Sequence, residues 1–164
     1  METPCPLLTP TVEFAVSLIE TSRERMLKLV DGLSSEQLLR VPHGFRNNLL
    51  WNLGHVMVTQ QLLCYEKCGL QLRIPDYFLP LFRKGTHPGE WKGTMDVEDI
   101  KAWLMETPKM LLEDLHKNVF HTYTRYETSA GIPLTSISDA ISFVAWHESQ
   151  HLGIMVAMRK LVTA

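Results

Sequence analysis

No stretch of this sequence approaches the roughly 18 uninterrupted apolar residues that a membrane-spanning helix requires, so a membrane protein is not expected. Its opening residues, METPCPLLTP, hold no basic segment followed by an apolar core, and no secretory leader is expected either. Cysteine is scarce. Cys5, Cys64 and Cys68 are odd in number and form no paired CxxC knuckle, which argues against a disulfide framework and for reduced thiols in a cytoplasmic setting. Runs of one charge are missing too. Sixteen basic and eighteen acidic side chains are spread along the chain, without the patch that nucleic acid or an anionic membrane surface demands. Repeats and low-complexity tracts are also absent. What is present is one domain's length of chain, residues 1–164, with 45% hydrophobic residues, enough to bury a core and to receive a small-molecule or protein partner.

Helical periodicity organises most of it. Thr9 and Pro10 suit the cap and first position of a helix, and Val12, Ala15, Ile19, Ser22, Met26, Leu29, Val30 and Leu33 then recur at steps of three and four residues. This first helix is expected to end near Asp31 and Gly32. Ser34 and Gln37 have capping-box spacing for a short turn that Pro42 stops. A second long helix is expected from Asn48 to Cys68, with Gly69 as its left-handed cap and Gly54 as a weak point inside it. Residues 70–95, rich in Pro, Gly and aromatic residues, form a long connection of the kind that packs over a site. Asp96, Glu98 and Asp99 favour the start of a third helix, which runs to Lys117 with a kink at Pro108. Residues 119–134 read as a loop or small hairpin turning at Gly131, and a fourth helix runs from Ser136 almost to Ala164. The expectation is an all-α four-helix bundle.

The fourth helix carries HESQHLG, residues 147–153, which matches the H-E-x-x-H helix of zinc proteases. Those enzymes need a third ligand downstream, and nothing after His151 is His, Asp, Glu or Cys. The protease reading therefore loses its footing. His147 and His151 remain about 40° apart on one helical face, shared with Ala140, Phe143, Val144, Ile154, Met158 and Leu161, so two imidazoles at ligand spacing lie on an apolar stripe. A third ligand has to come from upstream. His55 in WNLGHV offers it, on a face of the second helix that also carries Asn48, Asn52 and Thr59, although a lone helical histidine is more often structural. Arg46 and Trp51 are further candidates for the entrance. Cys64 and Cys68 project about 180° and 220° from His55 and should not join such a site. His43, His87 and His116 lie in loops or at a helix end, and His121 is a candidate only for a pocket rim. At about 1.5 Å per residue, the three histidines reach one level only if the second and fourth helices are antiparallel, which requires residues 70–95 to cross the bundle.

WNLGHV around His55, followed by HESQHLG and RK near the C-terminus, resembles the DinB/YfiT-like superfamily, and the likeness extends over nearly the whole chain. That resemblance implies an up-down-down-up four-helix bundle, usually dimeric, binding a divalent metal such as zinc or nickel through His55, His147 and His151. It also implies a choice of chemistry. Members include thiol S-transferases that use a low-molecular-weight thiol, a thiol-dependent isomerase and proteins regarded as metal-dependent hydrolases. Three neutral imidazoles and a free coordination position suit activation of a thiol or of water toward a small electrophile. A metal-binding or stress-related protein without catalysis is the alternative. Glu148, about 80° from the mean direction of the two neighbouring histidines, is either a catalytic base close to the site or a plain surface acid, the second being favoured.

Overall fold

The structure, a computed structural model, describes residues 12–164; Cys5 and the expected Thr9–Pro10 helix start lie outside them. The described residues are mostly helical: α1 Val12–Val30, α2 Ser35–Leu39, α3 Leu49–Cys64, α4 Phe78–Phe82, α5 Val97–His116 and α6 Ile137–Val162. A two-stranded antiparallel hairpin, β1 Tyr126–Glu127 and β2 Pro133–Leu134, turns through Gly131 at φ 74°. No helix is long and apolar enough to cross a membrane, among the described residues.

Local chemistry sets the ends of these elements. Both capping-box bonds between Ser34 and Gln37 are made, and the side chains of Asn48, Asp96 and Ser136 each accept a backbone N–H at the start of α3, α5 and α6. α3 ends at Cys64, four residues earlier than expected. A 3₁₀ turn, Glu66–Cys68, then carries the chain to Gly69, which does supply the left-handed cap at φ 72°.

α3 is buried on nearly every side, which is why it reads as apolar all round, not as a helix with one greasy face. Its start meets the end of α6 through Asn52 and Met158, while Leu63 and Cys64 at its end share a core cluster with Ala140, Ile141 and Val144 at the start of α6. The contacts thus run in opposite senses along α3 and α6. α1 follows α6 in the same sense, with Val16 and Ile19 clustering beside Ile141 and Val144, and Met26 and Val30 beside Met155 and Val162. α5 follows α3, with Gln60 bonded to the Thr107 carbonyl and Tyr65 to Asp114.

The apolar face of α6 is rotated from the one expected. Ala140, Val144 and Met158 are buried as expected, but Ile154 and Leu161 are 40% and 49% exposed, and the buried line takes in Ile141, Ala145, Glu148, Met155 and Val162 instead. A carboxylate thus occupies the middle of the core stripe, and the histidines lie on its margin. The charge is tolerated because Arg23 on α1 meets it at 2.7 Å, with both side chains fully buried.

Residues 70–96 are pinned across the outside of α3. Gln61 Oε1 accepts the Arg73 N–H at 2.7 Å, and Trp51 Nε1 donates to Thr86 Oγ1 at 3.0 Å. The Phe82 ring lies so close to α3 that a Cβ on Gly54 would come within 2.4 Å of it. The suspected weak point is therefore a contact point. Gly54→Ala should cost about 1–3 kcal/mol by overpacking, despite the gain of about 1 kcal/mol in helix propensity. Gly153→Ala in α6, where a Cβ would meet nothing within 4 Å, should instead be neutral or stabilising. Urea midpoints of the two variants check the contrast; two shifts of the same sign would remove the packing argument.

Candidate metal centre

His55, His147 and His151 converge in space, with one ring nitrogen from each lying within 4.8 Å of the others. α3 supplies the first and α6 the other two, from successive turns. The His55 and His151 rings lie 4.9 Å apart between centroids, and the His147 and His151 rings 4.5 Å. Trp51, one turn before His55, stacks on its ring at 4.3 Å and 12°, restricting its rotation.

Hydrogen bonds fix which nitrogen of the His55 and His151 rings carries the proton. His55 Nδ1 lies 2.8 Å from the Phe82 carbonyl, which can only accept, so Nδ1 donates and Nε2 keeps its lone pair. Asn52 acts in the same way on His151. Its amide nitrogen is directed to the Asn48 carbonyl at 2.7 Å, leaving Oδ1 to accept from His151 Nδ1 at 2.7 Å. These are the orienting contacts that ligand histidines ordinarily have. The Nε2 atoms of His147 and His151 then face each other at 3.2 Å. Nitrogens held about 2.0–2.1 Å from a tetrahedral zinc are about 3.3 Å apart, so this separation fits a shared cation. His147 Nδ1 is buried with no partner.

Protons compete poorly here. Burial, followed by the charges of neighbouring histidines, lowers His147 to about 4 and His151 to about 3. Burial also lowers His55; its bond to Phe82 opposes this and the nearby Lys84 charge adds to it. All three are neutral near pH 7, the form that binds metal.

A cavity of about 160 Å³ opens beside His55 and His147 and extends toward the hairpin. Leu62, Leu63 and Phe143 make its apolar wall, and Thr59, Thr128 and Ser129 bring hydroxyls. Thr59 Oγ1 is 3.4 Å from His55 Nε2.

The remaining sequence candidates divide clearly. Asn52, Thr59 and Trp51 do belong to the centre, through the contacts above. Asn48 is a buried helix cap and Arg46 is exposed. His116 pairs with Glu13 at 3.1 Å, His87 accepts the Gly89 N–H, and His43 and His121 are exposed. Cys64 is buried in the cluster formed with the start of α6, where burial pushes its thiol far up, and neither Cys64 nor Cys68 joins the histidine group.

Glu148 needs correction. It is neither exposed nor part of the cavity wall: it is completely buried and both its oxygens are held by Arg23, with Nε 3.2 and 3.1 Å away and Nη2 2.7 Å away. Burial raises its carboxyl and the guanidinium opposes that shift. Arg23 is hard to place from sequence because charge on a helix ordinarily signals solvent. A clue was available, since Arg23 stands four residues after Ile19 and three before Met26, inside the apolar stripe of α1. The Phe82 carbonyl had no signal at all, because a backbone acceptor in a loop leaves no mark on residue type.

No curated protein matches the chain. The family model described as DinB superfamily matches residues 18–155, a span that takes in all three histidines and both members of the buried ion pair. Family match and histidine geometry agree, and the chain belongs to the DinB superfamily.

Proposed function

We propose that this protein is a metal-dependent enzyme that activates a small thiol, or water, toward a small electrophile. The observation that carries the reading is the convergence of one ring nitrogen from each of three histidines, two of the rings oriented by the Phe82 carbonyl and Asn52, at the edge of a cavity that the protein leaves open. Zinc or nickel bound by His55, His147 and His151 would supply a Lewis acid that makes a thiol or water nucleophilic near neutral pH. The chain's own residues do the rest. Trp51 and Phe82 hold His55, Asn52 holds His151, and the apolar wall excludes water from one side of the cavity.

The four long helices are read as an up-down-down-up bundle, one domain over residues 1–164, with residues 70–95 as the crossover. The opposite senses of contact along α3 and α6 and the shared sense of α1 and α6 support that order. A cytoplasmic homodimer acting on a small molecule, with no nucleic acid or membrane partner, completes the proposal. A metal-dependent hydrolase uses the same centre with water as nucleophile. The open cavity argues against a protein that only stores metal, whose centre would be closed by side chains.

The test is an assay of the metal-replete protein with a small thiol and an activated halide or epoxide. In the halide reaction the thiol gives up its proton, an S–C bond forms and halide leaves. Metal-dependent conjugation without casein cleavage is expected. Casein cleavage without conjugation would return the protein to the H-E-x-x-H proteases.

A further inference from the structure

The charges around the cavity do not cancel. Lys67, Lys84 and Glu66 all border it. Glu66 lies 3.3 Å from the Lys67 ammonium, which also sits 4.9 Å from the centre of the Tyr126 ring, so that pair is internally compensated. Lys84 has no carboxylate partner among the described residues. Its place is not accidental to the site. It follows Phe82 by two residues on the same strap, so the segment that orients His55 also delivers an ammonium to the cavity.

We propose that the small molecule taken by this site carries a carboxylate, which lies against the Lys84 ammonium while its apolar body rests on Leu62, Leu63 and Phe143. This rests on the reading that the histidine centre acts on a small molecule. One uncompensated ammonium matches a monoanion. A phosphate would call for the guanidinium forks that recognise it, and no arginine borders this cavity. Hydroxyls of Thr128 and Ser129 near the hairpin can donate to the second carboxylate oxygen.

Isothermal titration of the protein as purified, and again after chelation, with 3-phenylpropanoate and the uncharged 3-phenylpropanamide tests this. The acid should bind more tightly, and Lys84→Met should weaken the acid by about threefold to fivefold while leaving the amide unchanged. Lys84→Arg should keep the preference, and Lys101→Met, a half-buried lysine of α5 that does not border the cavity, should not alter it. An acid-to-amide ratio that Lys84→Met leaves unchanged, or no binding of the acid at millimolar concentration, overturns the proposal. Metal content measured on the same samples separates the two claims. Protein that takes up no divalent ion when it is supplied, yet still shows Lys84-dependent preference, defeats the metalloenzyme reading and leaves this one standing; metal-loaded protein without that preference does the reverse.

Discussion

Arg23→Met should destabilise the protein by about 3–5 kcal/mol, the largest stability loss expected from any single change outside the apolar core. The guanidinium has five N–H donors and every one is used. Nε and Nη2 hold Glu148, Nη2 also reaches Gln60 Oε1 at 3.0 Å, and Nη1 reaches Thr107 Oγ1 and the Leu104 carbonyl, each at 2.7 Å. One side chain of α1 therefore bonds to α3, α5 and α6. The Leu104 carbonyl is available for a reason legible in the chain: Pro108, four residues later, has no N–H to give it. Arg23 fills the gap that proline leaves in α5. Glu148→Ala should cost a comparable amount, because it strands a buried cation. The double change Arg23→Met with Glu148→Leu should recover only part of the loss. Apolar replacement of a buried ion pair is often tolerated, but here the Leu104 carbonyl and Gln60 would still be left short of partners. Urea denaturation of the three variants measures it. Single-variant losses below about 1 kcal/mol would mean the pair is not a structural anchor. Glu148→Gln addresses the catalytic reading separately: a fall in turnover of about 100-fold in fully folded, metal-loaded protein would restore Glu148 as a base.

His147→Ala or His151→Ala should remove most of the bound metal, and His55→Ala should weaken retention strongly, from an expected one divalent ion per chain. The Cys64→Ser, Cys68→Ser double variant should keep its metal even though Cys64 is completely buried and the change costs stability. Elemental analysis decides this, and equal loss in the cysteine variant would defeat the three-histidine centre. The same histidines make metal-free protein acid-sensitive. Their folded-state pKa values lie below the ordinary 6.5, at about 4 for His147 and about 3 for His151, so below pH 6.5 the unfolded chain takes up protons that the folded chain refuses. Stability from this source is complete above pH 6.5 and is lost as the pH falls through about 4 for His147 and about 3 for His151. The urea midpoint of chelated protein should fall across that window, less steeply in His147→Ala; equal slopes would show that the ring is not desolvated.

The likeness to the DinB superfamily and the shared face of His147 and His151 were both legible in WNLGHV and HESQHLG, because a helix fixes which residues share a face within one or two turns. The caps at Ser34, Gly69 and Ser136 and the helix starts at Asn48 and Asp96 were legible on the same ground, since each concerns backbone groups a few residues away. Tertiary structure alone decided three things. It rotated α6 so that Glu148, not the histidine edge, faces the core, because the compensating Arg23 stands 125 residues away in sequence. It set the Phe82 carbonyl on His55 across 27 residues, and it brought Lys84 to the cavity along the same strap. Periodicity registers polarity along one helix and is blind to its neutralisation by another, so a buried charge and a backbone acceptor become visible only once the chain has folded.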